Sequence, residues 1–313
     1  MSELRHDELT GRSVVLAAGR AARPDTFQGP KTDDIGADVC PFCPGHEAET
    51  PPEIMRTGDG AGLEPGWRVR VFPNLYPIVG GPDAHDGTTG AHEVVVLSPD
   101  HQRSFARLDA DAAVEVVSVL RDRVRGHLDD GRAYAAAIVN HLRPAGASIA
   151  HPHAQVFALD FVPPAVAAQQ ERFERAGLDL VARETAAIGE HGVAIAPDGT
   201  PAVWCPYASP SPYVMRIAHA RSGASFAHAD DAEIAAVALA VRDALRRLST
   251  ALDDPPYNLA VLTAPRAPAP WFHWYVEIAP RVTVTAGFEL VTGLDVNTVR
   301  PEHAAAELRA AAP

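Results

Sequence analysis

The apolar positions of the chain fall into short strand-like runs set around two longer helical stretches. Residues 67–72 and 92–97 alternate or run apolar over six positions, as half-buried and fully buried strands do. After Asp109 or Asp111, either a suitable N-cap, Val114, Val117, Leu120, Val124 and Leu128 recur at three- and four-residue steps and predict an amphipathic helix. Two strands follow, one over 135–139 and one through His151-Pro152-His153. The same order returns later: strands at 202–205 and 213–218, a helix after Asp230 or Asp231, then strands at 258–262 and through His273-Trp274-Tyr275. Between the two series, residues 163–190 read as a connecting helix with charge on one face. Residues 20–66 are rich in Gly, Pro and Asp with little periodicity, so they need a tie other than a hydrophobic core.

The recurrence holds in register. Phe105-Ala106-Arg107-Leu108-Asp109 and Phe226-Ala227-His228-Ala229-Asp230 lie 121 positions apart, and so do Arg121-Asp122 and Arg242-Asp243. Tyr134 and Tyr257 are 123 apart, and His151 and His273 are 122 apart. Four matches at nearly constant spacing indicate a duplicated unit. The expected fold class is α+β, with each unit a largely antiparallel sheet with helices, divided into residues 1–165 and 166–313.

Composition narrows the chemistry. The chain has 313 residues, 47% of them hydrophobic and 21% charged, enough apolar material for a sizeable core. Its net charge of −13 argues against nucleic acid as a partner. No run of about 18 apolar residues is present, and the first residues are polar, so neither a membrane span nor a signal peptide is expected and the location expected is cytoplasmic. Lys31 is the sole lysine among 26 arginines, which removes a P-loop and leaves phosphate to arginine, histidine, backbone amides or a metal.

Two clusters could carry chemistry. Cys40-Pro41-Phe42-Cys43 has the spacing of a zinc clip, with His101 and His151 as candidate partners; a redox pair or two unrelated thiols are the alternatives, although the βαβ setting of a thioredoxin-like pair is missing. On a strand, His151, His153 and Gln155 would share one face. Two such imidazoles suit metal ligands, or a ligand beside a nucleophile, or a pair of structural histidines. A neutral imidazole attacks phosphorus when its far N–H is held by a carbonyl, and Gln155 could donate its amide to a phosphate oxygen.

The chain resembles the galactose-1-phosphate uridylyltransferase family, a branch of the histidine-triad superfamily with a duplicated unit. The runs that carry the resemblance are Leu9-Thr10-Gly11-Arg12, Arg20-Ala21-Ala22-Arg23-Pro24, Cys40-Pro41-Phe42-Cys43-Pro44-Gly45, Phe72-Pro73-Asn74-Leu75-Tyr76-Pro77, Gly90-Ala91-His92-Glu93-Val94, Ser98-Pro99-Asp100-His101, Gly146-Ala147-Ser148, His151-Pro152-His153-Ala154-Gln155 and Ala286-Gly287-Phe288-Glu289. They span nearly the whole chain in family order. The resemblance implies that His153 is the nucleophile, taking a nucleoside monophosphate as a phosphoramidate, and that Gln155 supports its phosphate. It implies one structural Zn2+ on Cys40, Cys43, His101 and His151. It further implies Asn74 at the ribose, Asn140 and Ser148 at the phosphates, Glu289 at the hexose hydroxyls, and Arg20 and Arg23 at the sugar phosphate of a neighbouring subunit, hence a homodimer.

Three features depart from the family pattern. Some members have a second metal site built from one glutamate and three histidines; here the matching positions are Gln169 and Tyr275, with only His273 retained and no histidine between Tyr257 and Phe272, so that metal is expected to be absent. Thr283 stands where some members have a lysine beside the sugar phosphate, and Leu75 where some have an acidic residue. The first expectation is a ping-pong nucleotidyltransferase, UDP-glucose:hexose-1-phosphate uridylyltransferase with galactose 1-phosphate as acceptor, acting on a nucleoside-diphosphate sugar and a sugar 1-phosphate. The alternative is an adenylyl- or other nucleotidyltransferase or phosphorylase on a nucleoside-diphosphate sugar or dinucleoside polyphosphate. A non-enzymatic, zinc-stabilised nucleotide-binding protein is a third reading, against which the pairing of His153 with Gln155 counts.

Overall fold

The computed structural model describes residues 2–19, 36–81, 84–85, 89–195 and 201–311. Strands β1 (Glu3–His6) and β2 (Ser13–Leu16) precede β3 (Met55–Gly58), β4 (Trp67–Pro73), β5 (Gly90–Val96), helix α1 (Ala110–Asp129), β6 (Tyr134–His141) and β7 (His153–Leu159). Helices α2 (Pro164–Ala176) and α3 (Leu180–Ala186) lead to β8 (Gly192–Ile195), β9 (Ala202–Trp204), β10 (Met215–Ala218), α4 (Asp231–Leu252), β11 (Tyr257–Leu262) and β12 (Tyr275–Pro280). Helix α5 (Gly287–Thr292), β13 (Asp295–Asn297) and α6 (Pro301–Ala310) close the described chain.

Among the described residues the strands form a three-stranded sheet, β1-β2-β13, and a ten-stranded sheet in the order β3-β4-β5-β7-β6-β11-β12-β10-β9-β8. The large sheet is antiparallel at every pairing, its order is matched from the two edges, and β5, β7 and β6 are related to β10, β12 and β11 by the sequence offset. At its centre Ile138 pairs with Ala260, 122 positions away, so a pseudo-two-fold passes between them. The helices obey it as well. Arg125 Nε on α1 donates to Ala227 O at 2.7 Å, and Arg246 Nε on α4 donates to Ala106 O at 2.8 Å. Donors and acceptors in these two bonds are each 121 apart. The fold is the expected α+β duplication.

The two long helices lie against one face of the large sheet. Val117, Leu120 and Val124 of α1 and Val237, Val241 and Leu245 of α4 pack on Val95, Val139, Val156, Leu259 and Ile278. Each such side chain, fully buried, contributes roughly 1.5–3 kcal/mol. Asp109 and Asp230 are the N-caps, accepting from Ala112 N at 2.9 Å and Glu233 N at 2.8 Å.

Three expectations change. The single connector predicted over 163–190 is two helices: α2 ends at Gly177, whose φ of 62° suits a left-handed cap, and α3 starts afresh at the N-cap Asp179. The strand through His151 begins only at His153, so His151 lies before β7 and aims elsewhere. The division at residue 165 does not describe where the first residues pack. β2 pairs with β13, Arg5 meets Tyr207 O and Glu302, and Asp7 meets Arg216, all in the second half.

Candidate active site

The face opposite α1 and α4 carries the polar residues. Strand alternation brings His153, Gln155 and Phe157 of β7 to this face, beside Val96, Val94 and His92 of β5. Phe72 from β4 lies across from Val94, and Asn74 continues that row, its N–H bonded to His92 O at 2.8 Å. On the other flank Asn140 of β6 pairs with Asn258 of β11.

His153 is 6% exposed, and its ring packs edge-on against Phe42 at 5.3 Å. Its Nδ1 is 2.9 Å from His151 O. A carbonyl only accepts, so Nδ1 carries the hydrogen and Nε2 keeps its lone pair. Burial pushes the imidazole's pKa down, against an opposing effect of the His151 carbonyl, and holds it neutral and nucleophilic. Gln155 Oε1 lies 2.7 Å from His92 Nε2. Asn258 Nδ2 donates to Asn140 Oδ1 at 2.8 Å and to Ala145 O at 2.7 Å, fixing the loop between β6 and β7. In that loop Leu142 has φ 65° and ψ 162°, a conformation almost reserved for glycine, and its carbonyl accepts from the amides of Ala145 and Ala147. Ser148 is exposed beyond it.

Cys40, Cys43, His101 and His151 converge, their ligand atoms all within 4.8 Å of one another. His101 Nδ1 is 3.3 Å and His151 Nδ1 3.5 Å from Cys43 Sγ, and Cys40 Sγ is 3.8 Å from His151 Nδ1. A tetrahedral zinc with two sulfur and two imidazole ligands needs S···N separations of about 3.6 Å. His151 Nε2 lies 2.8 Å from Ser98 O, so its hydrogen is on the far nitrogen and the lone pair of Nδ1 faces the thiols, the orientation that a ligand requires. Burial drives the His151 pKa down to about 4. The donor set, its tautomer and its spacing fit zinc. A residue not foreseen from the sequence holds the loop: buried Glu47 accepts from Trp67 Nε1 and from the Gly45 amide, each at 2.8 Å.

Other expected residues are less connected. Glu289 is half-buried on α5, where its carboxylate accepts from the Ala286 amide at 3.0 Å. Thr283 and Leu75 are exposed. Arg20, Arg23 and Lys31 lie outside the described residues.

With this geometry in view, the comparisons with known proteins are informative. A family model described as galactose-1-phosphate uridyl transferase, N-terminal domain, matches residues 84–163. ADP-glucose phosphorylase of Arabidopsis thaliana is 30% identical over 335 aligned positions, covering 98% of this chain and 92% of the relative. The chain belongs to the galactose-1-phosphate uridylyltransferase family. It is accordingly a nucleotidyltransferase with the duplicated histidine-triad-like fold. Galactose-1-phosphate uridylyltransferase of Thermotoga maritima is 25% identical, covering 99% of this chain and 98% of the relative. The crystal structure of the Arabidopsis ADP-glucose phosphorylase with bound ADP-glucose superposes with a TM-score of 0.86 at 28% identity, covering 99% of each chain.

In this family member the second half presents the same face with different contents. Tyr275 stands where His153 stands in the first half, Glu277 where Gln155 stands, and Arg216 where Val94 stands. His273 repeats even the tether of His151: its Nε2 lies 3.1 Å from the carbonyl of His219, 121 positions after Ser98. Its Nδ1 meets no thiol but the Asp179 carboxylate, at 2.7 Å. Helices α2 and α3 cover this face, with Phe173, Leu180 and Val181 packed on Trp204 and Tyr275. Gln169 Nε2 donates to Tyr275 OH at 3.0 Å, which joins the two positions matched above to a glutamate and a histidine of the second metal site.

Proposed function

We propose that this nucleotidyltransferase moves AMP from an ADP-sugar to inorganic phosphate through a nucleotidyl-His153 intermediate. The observation that carries this reading is the full-length likeness to ADP-glucose phosphorylase in both sequence and backbone. In the first step His153 Nε2 attacks the α-phosphorus, the N–P bond forms, the bond to the β-phosphate oxygen breaks, and sugar 1-phosphate leaves. Gln155 Nε2 donates to a non-bridging oxygen while charge builds there. In the second step a phosphate oxygen attacks the same phosphorus, the P–N bond breaks, and ADP leaves with His153 neutral again. Asn74 would meet the ribose, Asn140 and Ser148 the phosphates, and Glu289 the sugar.

Cys40, Cys43, His101 and His151 would hold one zinc, whose contribution would be structural: bound there it would fix the His151 backbone, whose carbonyl sets the tautomer of His153. A homodimer belongs to the same reading. Arg20 and Arg23 would reach a neighbour's site, and exposed Val282, Val284, Phe288, Leu290 and Val291 supply an apolar surface for it. Among the described residues no helix is long and apolar enough to cross a membrane. A uridylyltransferase acting between UDP-glucose and galactose 1-phosphate is the second reading, favoured by the N-terminal family model and the Thermotoga relative.

Intact mass after incubation with ADP-glucose or UDP-glucose, without acceptor, separates them. An AMP adduct discharged by phosphate is expected. A UMP adduct discharged only by galactose 1-phosphate selects the second reading. His153→Ala should abolish either adduct, and full labelling of that variant would refute the nucleophile.

A further inference from the structure

His92 makes four contacts that the two transfer steps do not use. It sits on β5, 5% exposed, with its ring stacked on Phe157 at 4.2 Å and 25°. Its Nδ1 accepts the amide hydrogen of Ile78 at 3.2 Å, which settles the tautomer. A neutral ring whose Nδ1 accepts must carry its hydrogen on Nε2. That Nε2–H points at Gln155 Oε1, 2.7 Å away. Asn74 Nδ2 lies 3.1 Å from the same nitrogen, and Asn74 Oδ1 is occupied by the Tyr76 amide at 2.9 Å.

The consequence concerns which end of the Gln155 amide meets the phosphate. A glutamine amide has an acceptor end and a donor end of nearly equal size, and rotation by half a turn exchanges them. The donor end stabilises a phosphate oxygen that gains negative charge, whereas the acceptor end repels it. We propose that His92 is a positioning residue, one that claims the oxygen of Gln155 and so turns its NH2 towards the transferred phosphate. The relay runs from the Ile78 amide through the imidazole to Gln155, on one face of two adjacent strands. Stacking on Phe157 keeps the ring in the plane that the relay requires. With the hydrogen on Nε2, the Asn74 NH2 is a second donor at that nitrogen, so it touches the ring without bonding to it. Burial lowers the His92 pKa despite the Gln155 bond, so the neutral ring that the relay needs is the prevailing form at neutral pH.

This inference rests on the nucleotidyl-His153 reading, and the test keeps the two apart. His92→Asn keeps an acceptor near the Ile78 amide but loses the donor to Gln155, whereas His92→Gln keeps a donor of the right reach. In single-turnover transfer from ADP-glucose, His92→Asn should slow adduct formation about 10- to 100-fold while AMP affinity changes by no more than about twofold. His92→Gln should recover most of the lost rate. In a Gln155→Ala background, His92→Asn should have no further effect, because the residue acts through the amide already removed. Equal slowing in both backgrounds, or none in the unmodified background, overturns the proposal. If the unmodified enzyme takes no nucleotide from any donor, the functional reading fails instead. The ring nitrogen shifts of His92 then decide the relay: an Nε2-protonated tautomer is expected, and an Nδ1-protonated one overturns it.

Discussion

Each residue of the Cys/His cluster holds a position that only its own chemistry explains, and the cluster has a consequence two residues downstream. His151 faces the thiols through Nδ1 and offers its carbonyl to His153. Replacing Cys40 and Cys43 by serine should therefore abolish the zinc proposed for this cluster, seen by metal analysis, and also slow nucleotidylation at the proposed nucleophile His153, which would no longer be held. Loss of metal with full retention of the transfer rate would separate the two and refute the link. Both sets of residues are visible in the sequence because Cys-x-x-C and His-x-His-x-Gln are rare, chemically loaded spacings. Glu47 is not, and His92 lies in a run that carries the resemblance without any role following from it. A carboxylate in an aperiodic loop and a single histidine on a strand look like any surface or core residue until the fold supplies Trp67 and Gln155 as their partners.

Helices announced themselves through period and cap, since Asp109 and Asp230 precede regular apolar stripes and both are N-caps in the structure. Strands β1, β2, β3, β8 and β10 run four residues each and β9 and β13 only three, and among these short strands only β9 and β10 were expected from their apolar runs. Where the strands that bear the site meet, one glycine matters sterically. A Cβ on Gly90, at the start of β5, would lie 2.2 Å from Ala158 O of β7. Gly90→Ala should therefore push these two strands apart next to the His92–Gln155 contact. The expected loss is about 1–3 kcal/mol in denaturant unfolding, together with a slower transfer rate. An unchanged midpoint would show that the strands are not in that close contact.

At the scale of the molecule, the duplication was readable as constant spacing, but the strand order was not, because antiparallel neighbours in space need not be neighbours in sequence. Nothing local in the first sixteen residues shows that they belong with the second half. The tie is Arg216, fully buried, which donates to Asp7 at 2.5 Å, to Glu184 at 2.9 Å and to Glu277 at 3.1 Å. Burial works to raise the Asp7 pKa, but the Arg216 charge and the hydrogen bonds from Arg216 and Thr10 outweigh it and hold the carboxyl below its ordinary value of 3.8. A lowered folded pKa means that this stabilisation is complete above the unfolded value and fades as pH falls through the folded one. Relative to its intrinsic rate at each pH, amide exchange over β1 and β2 should thus stay slow at neutral pH and accelerate below about pH 4. In Asp7→Asn it should be faster already at neutral pH, and equal exchange in the variant and the parent would rule out this latch.

The seam between β6 and β11 has a consequence for how the two halves can change over time. Asn258 belongs to the half whose own site is filled by Tyr275 and Arg216, yet it clamps Asn140 and the Ala145 carbonyl of the other half. Under Tyr275 and Glu277, drift is limited mainly by volume and by the partners of Arg216. At the seam a substitution on one side leaves an acceptor on the other to be satisfied anew. The half that carries Tyr275 is thereby bound to the half that carries His153, residue by residue, and the two must vary in step along their shared edge.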